Sequence, residues 1–247
     1  MKIAVIGGTG LIGSRVVKIL NARGHAAVAH ATSTGVDLLS GRGLAEALTG
    51  AGVVVNLTKP RTFDEASPSF FQTTMDNLLT AAEAAGVGHA VILSIVGADR
   101  VPDLVYYRAK VLEEDLLKAG PVPYSIVRAT QFFEFLDTVL SWTSDEHTVR
   151  LPATLMQPMA ADDVARVVAD VSVGVPLRGT RDIAGPEVLA LDELGRITLA
   201  ARGDRRAVVI DEDAGMYSAA SGRALLADDG AFISETTYRE WLARATA

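Results

Sequence analysis

The sequence predicts an α/β fold, a doubly wound parallel sheet with helices on both faces. Three observations lead there. The chain opens on an apolar run, Lys2-Ile3-Ala4-Val5-Ile6, which breaks into the turn Gly7-Gly8-Thr9-Gly10-Leu11-Ile12-Gly13 and then an amphipathic pattern. Short apolar runs alternate with helical patterns through the first two-thirds of the chain. The helical stretches close on Gly24, Gly86 and Gly120, where a C-terminal stop belongs.

The elements follow in order. Ile12, Val16, Val17, Ile19 and Leu20 make the stripe of the first helix. Ala26-Ala27-Val28-Ala29 is the second strand. Too little chain separates its end, near His30, from the next run at Val53 to hold a full helix and another strand. That unit is therefore abbreviated to a turn over Ala31–Gly35, a stub at Val36-Asp37 able to pair at the sheet edge, and a short helix over Leu44–Leu48. Strands at Gly52–Leu57, Ala90–Ser94 and Pro123–Arg128 alternate with helices over Ser69–Ala85 and Asp103–Ala119. Beyond residue 130 the pattern loosens. A helix over Gln131–Leu140 precedes the polar stretch Trp142–His147. Ala161–Ser172 is helical, with Asp162 and Asp163 at its positive end. The chain reads as a single domain, 1–247. Within it, 131–160 and 179–247 contribute a small C-terminal substrate lobe where ligands bind in open α/β sheets.

Composition narrows the function. The net charge of −7, with no basic run, argues against nucleic acid. There is no cysteine, so disulfides and thiolate metal sites are excluded, and no His/Asp/Glu set has metal-ligand spacing. No apolar run reaches membrane-spanning length, and the first strand leaves no room for a leader. The expectation is a cytoplasmic protein acting on a small molecule. Apolar helix faces could make a homodimer.

The glycine loop carries the sharpest signal. Gly7 permits the sharp turn, Gly10 the close approach of a pyrophosphate, and Gly13 the seating of the helix on the strand. Free N–H groups at the helix start then face the phosphates. This is a Rossmann-like loop for a dinucleotide. Downstream, Tyr106 and Lys110 lie one helical turn apart on one face. An ammonium beside a phenol favours phenolate, so Lys110 is expected to lower the Tyr106 pKa towards working pH and tune it as a general acid. Lys110 can also hold the nicotinamide ribose. Ser94, at a strand end, could hydrogen-bond the same carbonyl. Tyr107 is the rival tyrosine and reads as lining.

These residues together resemble the short-chain dehydrogenase/reductase superfamily. The stretches Tyr124–Phe133, Gln157–Ala165 and Ala184–Glu187 are similar to the atypical, NmrA-like branch of NAD(P)-binding proteins. The resemblance spans essentially the whole chain. It implies cofactor contacts from Gly7, Thr9, Gly10, Leu11, Ile12 and Gly13. It also implies that Asp37-Leu38 lies against adenine and that Thr58 and Lys59 pass over the nicotinamide ribose. Ala129 and Thr130 would meet the carboxamide through backbone groups. Asn77 does not suit the superfamily's catalytic asparagine.

The second strand ends on His30, with no carboxylate to repel a 2′-phosphate. Thr32, Ser33 and Thr34 supply hydroxyls, and Arg15 or Arg42 could supply charge, so NADP is favoured and NAD stays open. Phe132 and Phe133 are candidate walls for an apolar substrate, or core. His25, His89 and His147 read as loop residues. The reading is an NAD(P)H-dependent reductase of a small carbonyl or quinone-like compound, with Ser94, Tyr106 and Lys110 catalytic. Two alternatives stand beside it: a dinucleotide sensor without turnover, and an epimerase or dehydratase using bound NAD.

Overall fold

The computed structural model describes residues 1–245. The elements run β1 (Lys2–Ile6), α1 (Leu11–Ala22), β2 (Ala26–His30), α2 (Leu44–Leu48), β3 (Val53–Asn56), α3 (Ser67–Ala84), β4 (His89–Ile95), α4 (Val105–Ala119) and β5 (Tyr124–Ala129). Then come α5 (Leu136–Trp142), β6 (Thr148–Leu151), β7 (Leu155–Met156), α6 (Ala161–Val173), β8 (Thr180–Ala184) and β9 (Leu189–Ala190). The chain ends with α7 (Leu191–Ala201), β10 (Ala207–Ile210), β11 (Phe232–Ile233) and α8 (Tyr238–Ala245).

Seven strands form one sheet in the order β11-β8-β5-β4-β3-β1-β2. β1 pairs with β2 and β3, β3 with β4 and β8 with β11, all in parallel, with Ile3 opposite both Ala27 and Val53, and Val53 opposite His89. Parallel strands covered on both faces should be apolar on both, and they are. Ala4, Ile6, Val54, Ala90, Ile92 and Ile126 pack in one cluster with residues of α2, α3 and α4. Ile3, Val5, Val55, Val91 and Val127 alternate with them and are just as buried. They face the side left for α1 and α6, which are tied at the surface by Arg23 and Asp170 at 2.6 Å.

The abbreviated unit after β2 is present, but its stub does not pair. The Val36 and Asp37 amides donate to the Ala31 and Arg42 carbonyls, closing a local turn, and β2 remains the sheet edge. The helix expected from Gln131 also starts late. Gln131 and Phe132 stay extended because Met159 N–H donates to Gln131 O and Phe133 N–H to Met159 O. A single 3-10 turn, Phe133–Phe135, then leads into α5.

Two compact units divide the chain: 1–128 with 164–181, and 129–163 with 182–247. The second carries its own small sheets, β6 with β10 and β7 with β9. Among the described residues no helix is long and apolar enough to cross a membrane.

Candidate functional site

The first unit builds its loop from β1 and α1. Gly7 has φ +78°, and a Cβ there would lie 2.8 Å from Leu57 O. Its N–H and that of Gly8 donate to His30 O at 2.8 and 3.1 Å, which fixes the turn to β2. A Cβ on Gly13 would stand 2.2 Å from Gly7 O, so α1 is seated directly on the turn. Gly10 differs. A Cβ there would meet only Gly7 O, at 3.3 Å. Gly10 is exposed, α1 has no side-chain cap, and no acidic residue sits in its first turn. The first amides of α1 are thus left for an anion. These features fit the pyrophosphate of a dinucleotide. Thr9 and Leu11 are exposed beside Gly10, whereas Ile12 is buried and can contribute only through its backbone.

The segment after β2 is also ordered by its own side chains. Thr32–Thr34 form a 3-10 turn with Thr34 Oγ1 accepting from Ala31 N–H at 2.8 Å. The Asp37 carboxylate accepts from the Ser40 hydroxyl and Leu39 N–H, which hold it below the ordinary carboxylate range. Leu38 is buried in the core, so its side chain is not offered to a ligand. Asn77 of α3 donates to Leu38 O at 2.8 Å and Leu39 O at 3.2 Å, pinning this turn.

Tyr106 and Lys110 do rise from one face of α4, but their electrostatics differ from expectation. The Tyr106 ring packs on Phe63 at 4.4 Å and Phe71 at 6.2 Å between centroids. Burial, then the Glu113 and Tyr107 charges, push its phenol above the ordinary tyrosine value. The expected lowering by Lys110 is absent because the ammonium is committed elsewhere. It is buried, donates to Leu93 O at 2.7 Å and to the Glu113 carboxylate, and sits 4.8 Å from the Phe71 ring centroid. Glu113 also accepts from Asn56 Nδ2 at 3.2 Å, and Asn56 Oδ1 accepts from Thr58 N–H and Oγ1. Burial pushes the Glu113 carboxyl up, and Lys110 opposes that shift. Lys59 lies over the Phe63 ring at 5.2 Å.

Ser94 is placed differently from expectation too. It shares the strand face of Ile92 and Ala90, the face that α4 covers. Its hydroxyl is buried without a partner of hydrogen-bonding geometry, yet near enough to help hold Glu114 down. It is enclosed, not presented to a carbonyl.

In the second unit Ala129 and Thr130 are buried. Thr130 N–H donates to Ile183 O at 3.1 Å and its hydroxyl to Gln157 O at 2.6 Å. Gln157 Nε2 donates to Gly185 O at 3.0 Å, and a Cβ on Gly185 would fall 1.8 Å from Pro158 O. Glu187 accepts from Tyr238 N–H at 2.9 Å. The Gln157-Pro158 and Gly185–Glu187 stretches are the joinery of this unit. Phe133 is buried against Tyr238 and Trp241, at 5.0 and 5.5 Å between centroids. Phe132 is half-buried and lines a small apolar hollow with Phe133, Pro158 and Gln131.

Sequence reasoning missed Asn56, Phe63, Phe71 and Glu113. Two signals were available. Asn56 is the polar residue in an otherwise apolar strand, and Glu113 lies three residues from Lys110, on the same helix face.

Comparison with known proteins now decides the family. A family model described as NAD(P)H-binding matches residues 7–172. The chain belongs to that family. It is 26% identical over 226 residues to the photosystem II assembly factor Ycf39 of Cyanophora paradoxa, covering 78% of this chain and 68% of that protein. The UDP-N-acetylglucosamine 4-epimerase of Bacillus cereus matches with a TM-score of 0.75 at 19% identity, over 100% of this chain and 98% of that one. The dTDP-4-dehydrorhamnose reductase of Bacillus anthracis, solved with NADP, matches with a TM-score of 0.72 at 14% identity, over 98% and 97%. These structures share the fold. The chain is thus an NAD(P)H-binding protein, and its cofactor is a nicotinamide dinucleotide.

Proposed function

We propose that this NAD(P)H-binding protein reduces a small carbonyl or quinone-like compound, prefers NADP over NAD, and uses Tyr106 as its proton donor. The observation that carries the reading is the Tyr106 phenol, packed on Phe63 and Phe71 from α4 in the unit that carries the phosphate loop, where burial favours its protonated form. When bound, the reduced nicotinamide supplies the hydride. Tyr106 Oη gives its proton to the oxygen that becomes a hydroxyl and regains one from water. Lys110 and Ser94 act from behind, as supports of α4 and β4. The absence of a carboxylate after His30 supports the NADP preference, since Asp37 is engaged by Ser40 and Leu39.

Fluorescence titration with NADPH and NADH, followed by NADPH consumption over quinones, aldehydes and ketones, tests this. NADPH should bind more tightly, and Tyr106→Phe should lose at least about 100-fold in turnover with near-normal NADPH affinity. Full activity in that variant would remove Tyr106 from its role.

A second reading rests on the enclosure of Lys110 and on the assembly-factor relative: a dinucleotide-sensing regulator. It requires NADPH binding with no consumption across the same panel.

A further inference from the structure

We propose that Glu113 is a positioning residue that takes up the Lys110 charge, so that Tyr106 is offered to a substrate as a neutral phenol and serves as an acid, not as a base. The inference rests on the reading of Tyr106 as proton donor and specifies how that donor is governed. Lys110 has three N–H bonds to place. One goes to Leu93 O at 2.7 Å, one to the Glu113 carboxylate, and the third side faces the Phe71 ring at 4.8 Å. Among the described residues no hydrogen bond joins this ammonium to the Tyr106 phenol. The Lys110 and Glu113 side chains are 4% and 1% exposed, so water does not screen the pair.

Glu113 is itself held from a second element. Asn56 of β3 donates to its other oxygen, and Asn56 is in turn fixed by the Thr58 backbone and hydroxyl. The carboxylate cannot swing away without orphaning a buried amide. The other charges around the site are already spoken for. Glu114 on α4 faces Arg128 of β5, and Lys118 lies beside Glu114. Tyr107 is the remaining titratable neighbour on α4, and Lys59, beyond β3, lies over Phe63. At this point α3 offers the apolar Phe71 and Met75.

Burying an ion pair is costly, and an apolar pair of similar volume would pack as well. The pair has an electrostatic effect that an apolar one would share only in part. A bare ammonium beside a phenol favours phenolate, and a paired one does not. A protonated phenol is the form that reduction of a carbonyl needs. The reverse reaction needs phenolate, so alcohol oxidation at neutral pH should be weak.

The test is a near-ultraviolet tyrosinate titration of the whole protein, taken as the difference between wild type and Tyr106→Phe. It needs no substrate, so it can succeed or fail whatever the carbonyl panel gives. The expected difference is flat up to the pH at which the fold is lost. In the Glu113→Gln background the same difference should show a tyrosinate step within the folded range. That step corresponds to at least a tenfold gain in acidity, about one pH unit. A Tyr106 step already present in the folded wild type overturns the proposal, even if Glu113→Gln does not fold. So does a folded Glu113→Gln protein with no step.

Discussion

Arg128 grips Glu114 through both carboxylate oxygens, Nε on one and Nη2 on the other, each at 2.8 Å. The Glu114 side chain is fully enclosed and that of Arg128 is 16% exposed, so this bidentate pair bolts α4 to β5 in a dry setting. Burial alone would raise the Glu114 carboxyl. The Arg128 hydrogen bonds and charge outweigh it and hold the group below the ordinary value. Glu114→Gln should therefore cost about 3 kcal/mol, because it leaves the largely enclosed guanidinium with only the exposed Asp99, at 3.3 Å, as a charged partner. Paired replacement, Glu114→Leu with Arg128→Met, should recover most of that loss. Denaturant unfolding of the two variants against the wild type decides. A single variant costing under about 1 kcal/mol would mean the pair is ornamental.

Gly10 and Gly13 stand three residues apart and should fail in different ways. A Cβ on Gly13 strikes the Gly7 carbonyl at 2.2 Å, backbone against backbone, with no flexible atom to yield. Gly13→Ala is expected to lower the melting temperature with or without dinucleotide. A Cβ on Gly10 meets only Gly7 O at 3.3 Å, so Gly10→Ala should keep its melting temperature and lose NADPH affinity by tenfold or more, about 1.4 kcal/mol. Thermal unfolding and NADPH fluorescence on both variants separate the two. A Gly10→Ala protein that bound normally would refute the close approach of a pyrophosphate at that residue.

The central strands β1, β3, β4 and β5 were legible because they are largely buried and so spell themselves as apolar runs, and the abbreviated unit was legible as a shortage of residues before Val53; β8 and β11 carry exposed residues and no such run. The Val36-Asp37 stub was not, because its amides find partners in a turn made with Ala31 and Arg42, which no periodicity encodes. The late start of α5 is of the same kind, since the Met159 backbone holds Gln131 and Phe132 extended. At the site the loop glycines and the Tyr106/Lys110 spacing could be read, since helical geometry fixes which residues share a face. What the spacing could not report is charge. Lys110 answers to Glu113 and Leu93, one from its own helix and one from β4, and the second is a tertiary contact.

Acid should weaken the fold in a definite order. His89 is buried, with Nε2 2.8 Å from Ser125 Oγ and Nδ1 without a partner. Ser125 Oγ also accepts from Leu177 N–H at 2.9 Å. Burial lowers the His89 pKa from 6.5, and burial followed by Lys2 lowers that of His30. A lowered folded-state value means the unfolded chain binds more protons below about 6.5, so stability rises with pH through that range and is lost as pH falls. Glu114, also lowered, adds its loss at more acid pH, as its carboxylate takes a proton. The melting temperature should hold steady above pH 7, sag between about 6.5 and 5, and drop further below 4.5. His89→Gln keeps an amide near the Nε2 position and should flatten the first sag in part, with His30 retaining the rest. An unchanged sag would clear His89 of any part in it.

Asn77 offers a comparison between a truncation and an isosteric change. Its Nδ2 reaches two carbonyls, Leu38 O and Leu39 O, across the turn that follows β2. Asn77→Ala removes both hydrogen bonds from a partly buried place, at a cost of about 1–2 kcal/mol. Asn77→Asp keeps the shape but turns a carboxylate oxygen on the same carbonyls, acceptor against acceptor. It should be the worse of the two at neutral pH and recover as the acid is protonated. Because Asp37 and Ser40 hang on the same turn, both variants should also weaken NADPH binding severalfold. Melting curves at pH 7 and pH 4, read against Asn77→Ala at each pH, test the ordering. If Asn77→Asp proved the more stable variant at neutral pH, the pinning of this turn by an amide donor would be wrong, and the Leu38 and Leu39 carbonyls would have to be held by something else.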